Sequence, residues 1–296
     1  MSLFATLSFI AGHPVNRDQR ARALLKYLKW QIGSRLLPGQ AIVPWINGAR
    51  LIVQRGDTGA TGNIYCGLHD FADMTYLLHV IERGDLFVDV GANLGSYTVL
   101  ACAAKGARGY CFEPVPGTFA RLTDNIRLND LSGRVVARNL GIADKSGELV
   151  FTVSQDTTNH VVADAEHHFD TVRVAVQPLD LAIHGESPSI IKIDVEGFEV
   201  PVLEGAHATL ANPVLHSVIL ELNGSGRRYG YQDQRIIDLM HASGFSAYSY
   251  EPASRELVPL GGEIGRAGNT LFIRDAAAVA CRLKRASKVL IGKRWI

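Results

Sequence analysis

The stretch VDVGANLGSYT, residues 88–98, decides the fold. An apolar run from Leu86 ends in Asp89, glycines at 91 and 95 bracket Asn93, and SYTVLACAAKG continues with helical spacing. Strand, glycine turn and helix in that order describe a turn that holds a nucleotide-type cofactor. Glycine lets the backbone approach a ligand closely, and the first helical amides face a negative group. Asn93 stands where a dinucleotide GxGxxG has its second glycine, and its side chain would crowd a pyrophosphate. The turn therefore suits a cofactor without a diphosphate.

Working outward, FADMTYLLHVIERG before this strand reads as a helix stopped by Gly84, and GYCFEP (109–114) after it reads as a second strand. A helix of the type TFARLTDNIRLND leads to an expected third strand, RVVARNLGI (134–142). The stretches 148–154 and 171–180 are β-rich, and the polar insert QDTTNHVVADAEHHFD between them suggests a hairpin excursion over a sheet edge. Alternation resumes with IIKIDVEG (190–197), a helix from Glu199 to Ala211, SVILELN (217–223), a helix from Gln232 to Ser243, and FSAYSYEP (245–252). NTLFIRD (269–275) follows without a crossover helix, so it pairs antiparallel. The expected fold is α/β: a Rossmann-like doubly wound, mostly parallel sheet with a reversed last strand, carrying an N-terminal helical extension.

The expected organisation is an extension over 1–66, a cofactor-binding domain over 67–275 and a basic tail over 276–296. In the extension, Arg17 to Leu37 forms an amphipathic helix with Ala21, Leu24, Leu25, Leu28 and Ile32 on one face and Arg and Lys on the other. The preferred reading docks the apolar face on the domain and leaves the charges solvated, with peripheral membrane contact as the alternative. Residues 41 to 66 suggest a hairpin ending in GDTGATGN (56–63), read as a loop. The tail is weakly amphipathic, with a terminal helix and a frayed end expected.

Of 296 residues, 30 are Lys or Arg and 29 Asp or Glu, a balance that supplies no global field for nucleic acid. With 47% hydrophobic residues, the chain is neither a charge-driven disordered one nor a disulfide scaffold. Cys66, Cys102, Cys111 and Cys281 are scattered without zinc-ligand spacing and read as buried reduced thiols. No apolar run reaches the length of a spanning helix, so a cytoplasmic protein without a transmembrane segment is expected, as a monomer or homo-oligomer.

Glu113 ends the second strand 22 residues after Gly91, the separation at which a carboxylate meets ribose hydroxyls. Asn139 and Gly141, ending the third strand, would lie along an adenine. Period 2 in the fourth strand aligns Lys192, Asp194 and Glu196, and the fifth strand adds Glu221 and Asn223. Open parallel sheets bind ligands at the carboxyl ends of their strands, so these groups border one crevice. Magnesium held by the acids is the weighed alternative, and the favoured reading calls for no metal. His160, His167 and His168 sit in the insert, whose role as a cover for the acceptor is favoured over zinc binding. Arg227, Arg228, Tyr229 and Tyr231 lie on the same rim.

VDVGANLGSYT, FEPVP, NLGIADKSGEL, IIKIDVEGFEVPVLEGA, ILELN and GNTLFIR, in that order, resemble the FkbM-type family of class I S-adenosylmethionine-dependent methyltransferases. The resemblance spans about Asp70 to Asp275. It implies S-adenosyl-L-methionine as cofactor, with Asp89, Gly91, Asn93, Gly95 and Glu113 as contacts, and places Asp194, Glu196 and Glu199 in the signature after the fourth strand. It also implies a small-molecule or glycan hydroxyl as acceptor. Removing that hydroxyl's proton requires a base, for which Asp194 or Glu196 is the first choice and His160 the next. The rivals are an NAD-dependent oxidoreductase and a non-catalytic binding subunit of the same fold.

Overall fold

The computed structural model describes residues 3–153, 158–163, 170–261 and 269–296. The chain opens with α1 (Leu3–Gly12) and α2 (Arg20–Leu36), then a hairpin of β1 (Ala41–Pro44) and β2 (Arg50–Val53). Helices α3 (Thr58–Cys66) and α4 (Phe71–Val80) lead into the alternating part: β3 (Leu86–Val90), α5 (Ser96–Cys102), β4 (Arg108–Phe112), α6 (Pro116–Leu128) and β5 (Val135–Arg138). Next, β6 (Gly141–Ile142), β7 (Gly147–Thr152) and β8 (Thr171–Gln177) make a separate sheet in the order β6-β8-β7. After the short α7 (Leu179–Ala182) come β9 (Ile190–Ile193), α8 (Glu199–Glu204), α9 (His207–Ala211), β10 (Ser217–Glu221) and α10 (Asp233–Ala242). Strands β11 (Ser246–Glu251), β12 (Glu256–Pro259) and β13 (Asn269–Ile273), helix α11 (Ala276–Arg285) and a hairpin of β14 (Leu290–Ile291) and β15 (Arg294–Trp295) complete it.

The principal sheet has the order β12-β11-β13-β10-β9-β3-β4-β5, with β10, β9, β3, β4 and β5 parallel and β13 antiparallel between β10 and β11. Side chains alternate across it. Phe87, Ile190 and Ile219 face Met74, Leu100 and Leu283 of α4, α5 and α11, while Val88, Ile191 and Val218 face Val202, Leu210 and Met240 of α8, α9 and α10. Each such side chain removed from water contributes ~1.5–3 kcal/mol, which is why the middle strands are mostly apolar, with buried Asp89 and Lys192 the charged exceptions toward their carboxyl ends. Val90 pairs with Ile193, and Ile193 with Leu220, so β3, β9 and β10 end at one level. Gly91, Asp194 and Glu221 are thereby brought to the same edge.

Several expectations are corrected. Residues 58–66 form α3 instead of a loop. Gly62 serves close packing, because a Cβ there would fall 2.1 Å from His69 Nδ1. The expected third strand divides at Asn139–Leu140: its first half joins the principal sheet and its second half joins β8. The helix expected over 199–211 breaks at Gly205, where a Cβ would fall 2.0 Å from the Ala143 carbonyl oxygen. Strand β12 was not anticipated. Of the five α2 residues expected to dock, only Leu24 packs inward; Ala21, Leu25, Leu28 and Ile32 face outward, and Ala23, Tyr27 and Trp30 supply the docked face. The tail is not frayed, since α11 buries Val279 and Leu283 and the last hairpin buries Ile291. Cys66, Cys102 and Cys111 are buried, but Cys281 is exposed.

The N-terminal layer is tied to the sheet's helices by polar bonds. Arg50 and Ile52 donate backbone N–H groups to Asn129 and Asn125 of α6 at 2.8 and 2.7 Å, and Arg121 pairs with buried Asp57. Strands β7 and β8 pair antiparallel across the insert, of which 158–163 and Asp170 are described; His167 and His168 lie outside the described residues.

Candidate active site

The turn after β3 is built on three residues of positive φ: Gly91 (78°), Asn93 (50°) and Gly95 (85°). Asparagine tolerates the left-handed region because its short side chain bonds locally, and here Oδ1 accepts the Leu94 N–H at 2.7 Å. Gly91 has a second constraint: a Cβ there would fall 1.9 Å from the Asp194 carbonyl oxygen, so glycine is what lets the turn close on the end of β9. Below it, Asp89 is buried and accepts from Thr98 Oγ1 at 2.6 Å, fastening the strand end to α5. Burial pushes Asp89 up to about 6.

Glu113 is buried at the end of β4, where Oε2 accepts the Asn93 N–H at 3.0 Å and Oε1 the Val115 N–H at 2.9 Å. Burial outweighs those bonds and raises its pKa to about 7. The carboxylate borders a narrow cleft of about 50 Å³ together with Gly91, Asn93, Pro114, Thr118, Phe151, His160, Asp194 and Glu196. His160 belongs on this side, buried, with Nδ1 2.8 Å from the Thr158 carbonyl oxygen. Asn139 spends its amide on the Glu113 and Pro114 carbonyls at 2.8 and 2.7 Å, holding that loop. Gly141 is packed under Phe151 and Val176, so the room it leaves is filled by protein.

On the other side of the turn lies a cavity of about 540 Å³. Gly91, Asn93, Asp194 and Glu196 line both spaces. Asp70, Asp73, Asp89, Asp194, Glu196 and Glu221 all line the larger one, and Lys192 is its lysine. Oxygens of Asp194, Glu196 and Glu221 lie within 4.8 Å of one another. Buried Lys192 sits beneath them, its Nζ donating to Asp194 Oδ2 at 3.0 Å and standing 5.2 Å from the Tyr97 ring centre. Burial pulls this lysine down, yet Asp194, Glu221 and Asp70 outweigh it and hold it above the ordinary value. Burial and then Asp194 raise Glu221, whose Oε2 is buried without a partner among the described residues. Burial, Asp194 and Glu199 raise Glu196 to about 7.

The loop carrying Glu196 is held from behind. Glu196 has φ 54°, and Glu199 Oε1 accepts the Gly197 N–H at 3.1 Å. Arg228 donates to the Glu196 carbonyl at 3.3 Å, and Tyr229 donates to the Val161 carbonyl at 2.6 Å, joining the loop after β10 to the insert. Asn223 is exposed and accepts the Ser225 N–H at 2.9 Å, so it shapes that loop and does not line the cavity.

Residues that the sequence reading passed over complete the wall. Tyr97 donates to Asp70 Oδ2 at 3.2 Å, and Asn269 of β13 donates to Asp73 Oδ2 at 3.1 Å. Asn63 of α3 donates to Ser96 Oγ at 3.3 Å and accepts the His69 N–H at 2.8 Å, so the N-terminal layer reaches the cavity. One signal was available: Asp70 and Asp73 stand one turn apart where a helix begins.

Strand order and reversed β13 define a class I methyltransferase fold, with the glycine turn at its switch point. The profile of the Methyltransferase FkbM domain matches residues 89–247, and the chain belongs to that family. Among curated relatives, the hexuronic acid methyltransferase AglP of Haloferax volcanii is 32% identical over 149 residues, 50% of this chain and 59% of that protein. The 31-O-demethyl-FK506 methyltransferase FkbM of Streptomyces tacrolimicus is 35% identical over 91 residues, 30% of this chain and 34% of that one. The chain thus spans about three-fifths of the first relative's length and a third of the second's. Among solved structures, P. horikoshii TYW2 in complex with MeSAdo aligns over 89% of this chain and 86% of its own at TM-score 0.41 and 9% identity.

The cofactor of this family is S-adenosylmethionine, and the residues fit it. Its sulfonium and ammonium outweigh its one carboxylate, leaving a net positive charge, and six carboxylates line the cavity against Lys192. An orphaned Glu221 oxygen and the raised Asp73, Glu196 and Glu221 mark a space where added positive charge relieves crowding. Glu113 keeps unused lone pairs for a diol.

Proposed function

We propose that this chain is an O-methyltransferase that carries a methyl group from S-adenosylmethionine to a hydroxyl of a small molecule or glycan. The observation that carries the reading is that Asp194 and Glu196, on the wall common to the glycine-turn cleft and the open cavity, converge with Glu221 of that cavity to within 4.8 Å. Glu113 would hold the ribose hydroxyls and the turn at Gly91–Gly95 the body of the cofactor, as the family resemblance implies for Asp89 and Asn93 as well. The carboxylates would hold the positive groups. Bound there, the cofactor supplies a methyl carbon already activated by its sulfonium.

The chain then has two tasks: alignment, and removal of the acceptor's proton as its oxygen attacks. Glu196 is the base in this reading, because a carboxylate raised to about 7 by burial and by its acidic neighbours has the basicity for that transfer at neutral pH. Asp194 is engaged by Lys192 and acts as an anchor. His160, on the Glu113 side, forms the cleft wall and is second in line. Lys192 supplies the buried positive charge that a metal would otherwise bring to these acids, which favours a metal-independent reaction. The names of the two curated relatives support an oxygen acceptor: 31-O-demethyl-FK506 names an O-methylated position, and a hexuronic acid offers hydroxyls and a carboxylate.

Calorimetric titration with S-adenosylhomocysteine, with NAD in parallel, tests the first half. Micromolar binding of the former alone supports the reading, and binding of NAD alone defeats it. For the second half, Glu196→Gln should keep S-adenosylhomocysteine affinity while turnover on an acceptor found by screening falls about 10²–10⁴-fold. Full turnover in that variant removes Glu196 as the base.

A further inference from the structure

Helix α2 has two apolar faces. Ala23, Leu24, Tyr27 and Trp30 pack inward with Ile10, Tyr65 and Cys66. On the opposite side Leu25, Leu28, Ile32 and Leu36 recur at helical spacing, each with half or more of its surface in solvent, and Leu37, also exposed, follows at the helix end. The neighbouring α1 adds exposed Leu3 and Phe4. Single exposed leucines are ordinary, but a continuous stripe along one helix covers a surface that water alone does not favour.

The charges around the stripe have one sign. Lys29 and Arg22 border it on one side and Arg35 on the other, and no Asp or Glu occurs between Asp18 and Asp57. Among the described residues, none of these cations has an ion pair with an acid. The C-terminal hairpin adds to the same flank: Lys293 and Gly292 share a cleft with Arg22 and Lys26, and Arg294 donates to the Pro14 carbonyl at 3.1 Å. Trp295 on that hairpin is 61% exposed, and no acid follows Asp275. Burial and then nearby Arg22 hold Lys26 below its ordinary value, as expected where cations gather without counter-charge.

We propose that the outer face of α1 and α2, together with the C-terminal hairpin, is a docking surface for an anionic lipid bilayer. The leucine stripe sinks among the headgroups with α2 parallel to the membrane, and the flanking Lys and Arg meet acidic lipid phosphates. Trp295 has the amphipathic ring favoured at such an interface. No helix among the described residues is long and apolar enough to cross a membrane, so the contact is one of adsorption. A second copy is the poorer occupant, because a two-fold contact sets each cationic flank against its like. The inward side of the same layer, through Phe9, Tyr27 and Trp30, walls a cavity of about 470 Å³ that shares Thr58 and His69 with the cofactor cavity. The proposal rests on this layer and stands independently of the methyltransferase reading.

Co-sedimentation of the full chain with vesicles tests it, using phosphatidylcholine alone and an equal mixture with phosphatidylglycerol. Binding should be confined to the anionic vesicles and weaken as salt is raised. The variant Leu25→Ser, Leu28→Ser, Ile32→Ser should bind about tenfold or more weakly. The variant Lys29→Glu, Arg35→Glu should lose roughly fivefold or more per charge. The charge variant should melt as the parent does and the serine variant somewhat lower, from its poorer helix propensity, while both keep the parent's S-adenosylhomocysteine affinity, since every substituted side chain lies on the outer face. Failure of the parent to bind anionic vesicles overturns the proposal, as does undiminished binding by the serine variant. So does a dimer in sedimentation equilibrium that the serine variant dissociates, because a second copy then covers the stripe.

Discussion

Lys192 Nζ donates to Asp194 Oδ2 across 3.0 Å, and the lysine is fully buried while its partner's side chain keeps 40% of its exposure. A cation is thus fixed below the sheet edge with its carboxylate turned toward the cavity. Its field also lowers Glu196 and Glu221 against the burial and acidic neighbours that raise them.

Lys192→Met keeps an unbranched chain of similar volume and removes that field. Glu196 should then take its proton at higher pH, moving the acidic limb of the pH–turnover profile upward. Turnover at neutral pH should fall, with recovery at alkaline pH. A limb that stays in place would dissociate Lys192 from the base, whatever the loss of rate.

The apoprotein should become more stable as pH falls from 8 to 6.5. Burial raises Asp73, Glu113, Glu196 and Glu199 to about 7. In that window the folded chain binds more protons than the unfolded one, so unfolding free energy falls as pH rises through 7. Below 6.5 the sign is contested: burial holds His79 and His216 at about 4, and the unfolded chain then takes protons those histidines refuse. Melting curves without ligand should show an optimum on the acid side of neutrality. A melting temperature that climbs steadily from pH 6.5 to 8 would contradict the raised carboxylates.

Gly91, Asn93 and Glu113 were legible because their meaning is local: a strand end, a turn and a fixed separation along the chain. Asp194, Glu196 and Glu221 were legible because parallel strands must end side by side. Asp73 and Asn269 were not, since their bond joins the start of α4 to β13, and no spacing encodes that meeting. Helix α2 shows a different limit. Period 3.6 finds an apolar face, but a helix with two such faces does not say which one the core takes. Gly141 marks a third, for a small residue at a strand end leaves the same room for a phenylalanine as for a ligand.

Glu113→Gln separates cofactor recognition from folding. The substitution keeps the side chain's shape, but its single oxygen can accept only one of the Asn93 and Val115 N–H groups while its NH2 faces the other, and it removes the charge and half the capacity offered to a diol. Losing charge-assisted hydrogen bonds should weaken S-adenosylhomocysteine about 10–100-fold. The apoprotein's melting temperature at pH 8 should change little, because relief of the ionised carboxylate's burial offsets the one backbone N–H left without an acceptor. Unchanged affinity by calorimetry would take Glu113 out of the cofactor site.

Two glycines in the N-terminal layer should respond oppositely to the same change. Gly33 lies inside α2 with open space where a Cβ would stand, so Gly33→Ala gains the ordinary helix advantage of ~0.5–1 kcal/mol. Gly62 lies inside α3, where the same methyl would fall 2.1 Å from His69 Nδ1 and 2.7 Å from its Cγ, so the whole ring must move. Overpacking of that kind costs ~1–3 kcal/mol and outweighs helix propensity. His69 also lines the 540 Å³ cavity proposed for the cofactor and gives its backbone N–H to Asn63. Gly62→Ala should therefore lower the melting temperature and weaken S-adenosylhomocysteine together, while Gly33→Ala raises the first and leaves the second alone. Equal stabilisation by both would mean that α3 does not pack against His69 as described, and that the N-terminal layer has no hold on the site.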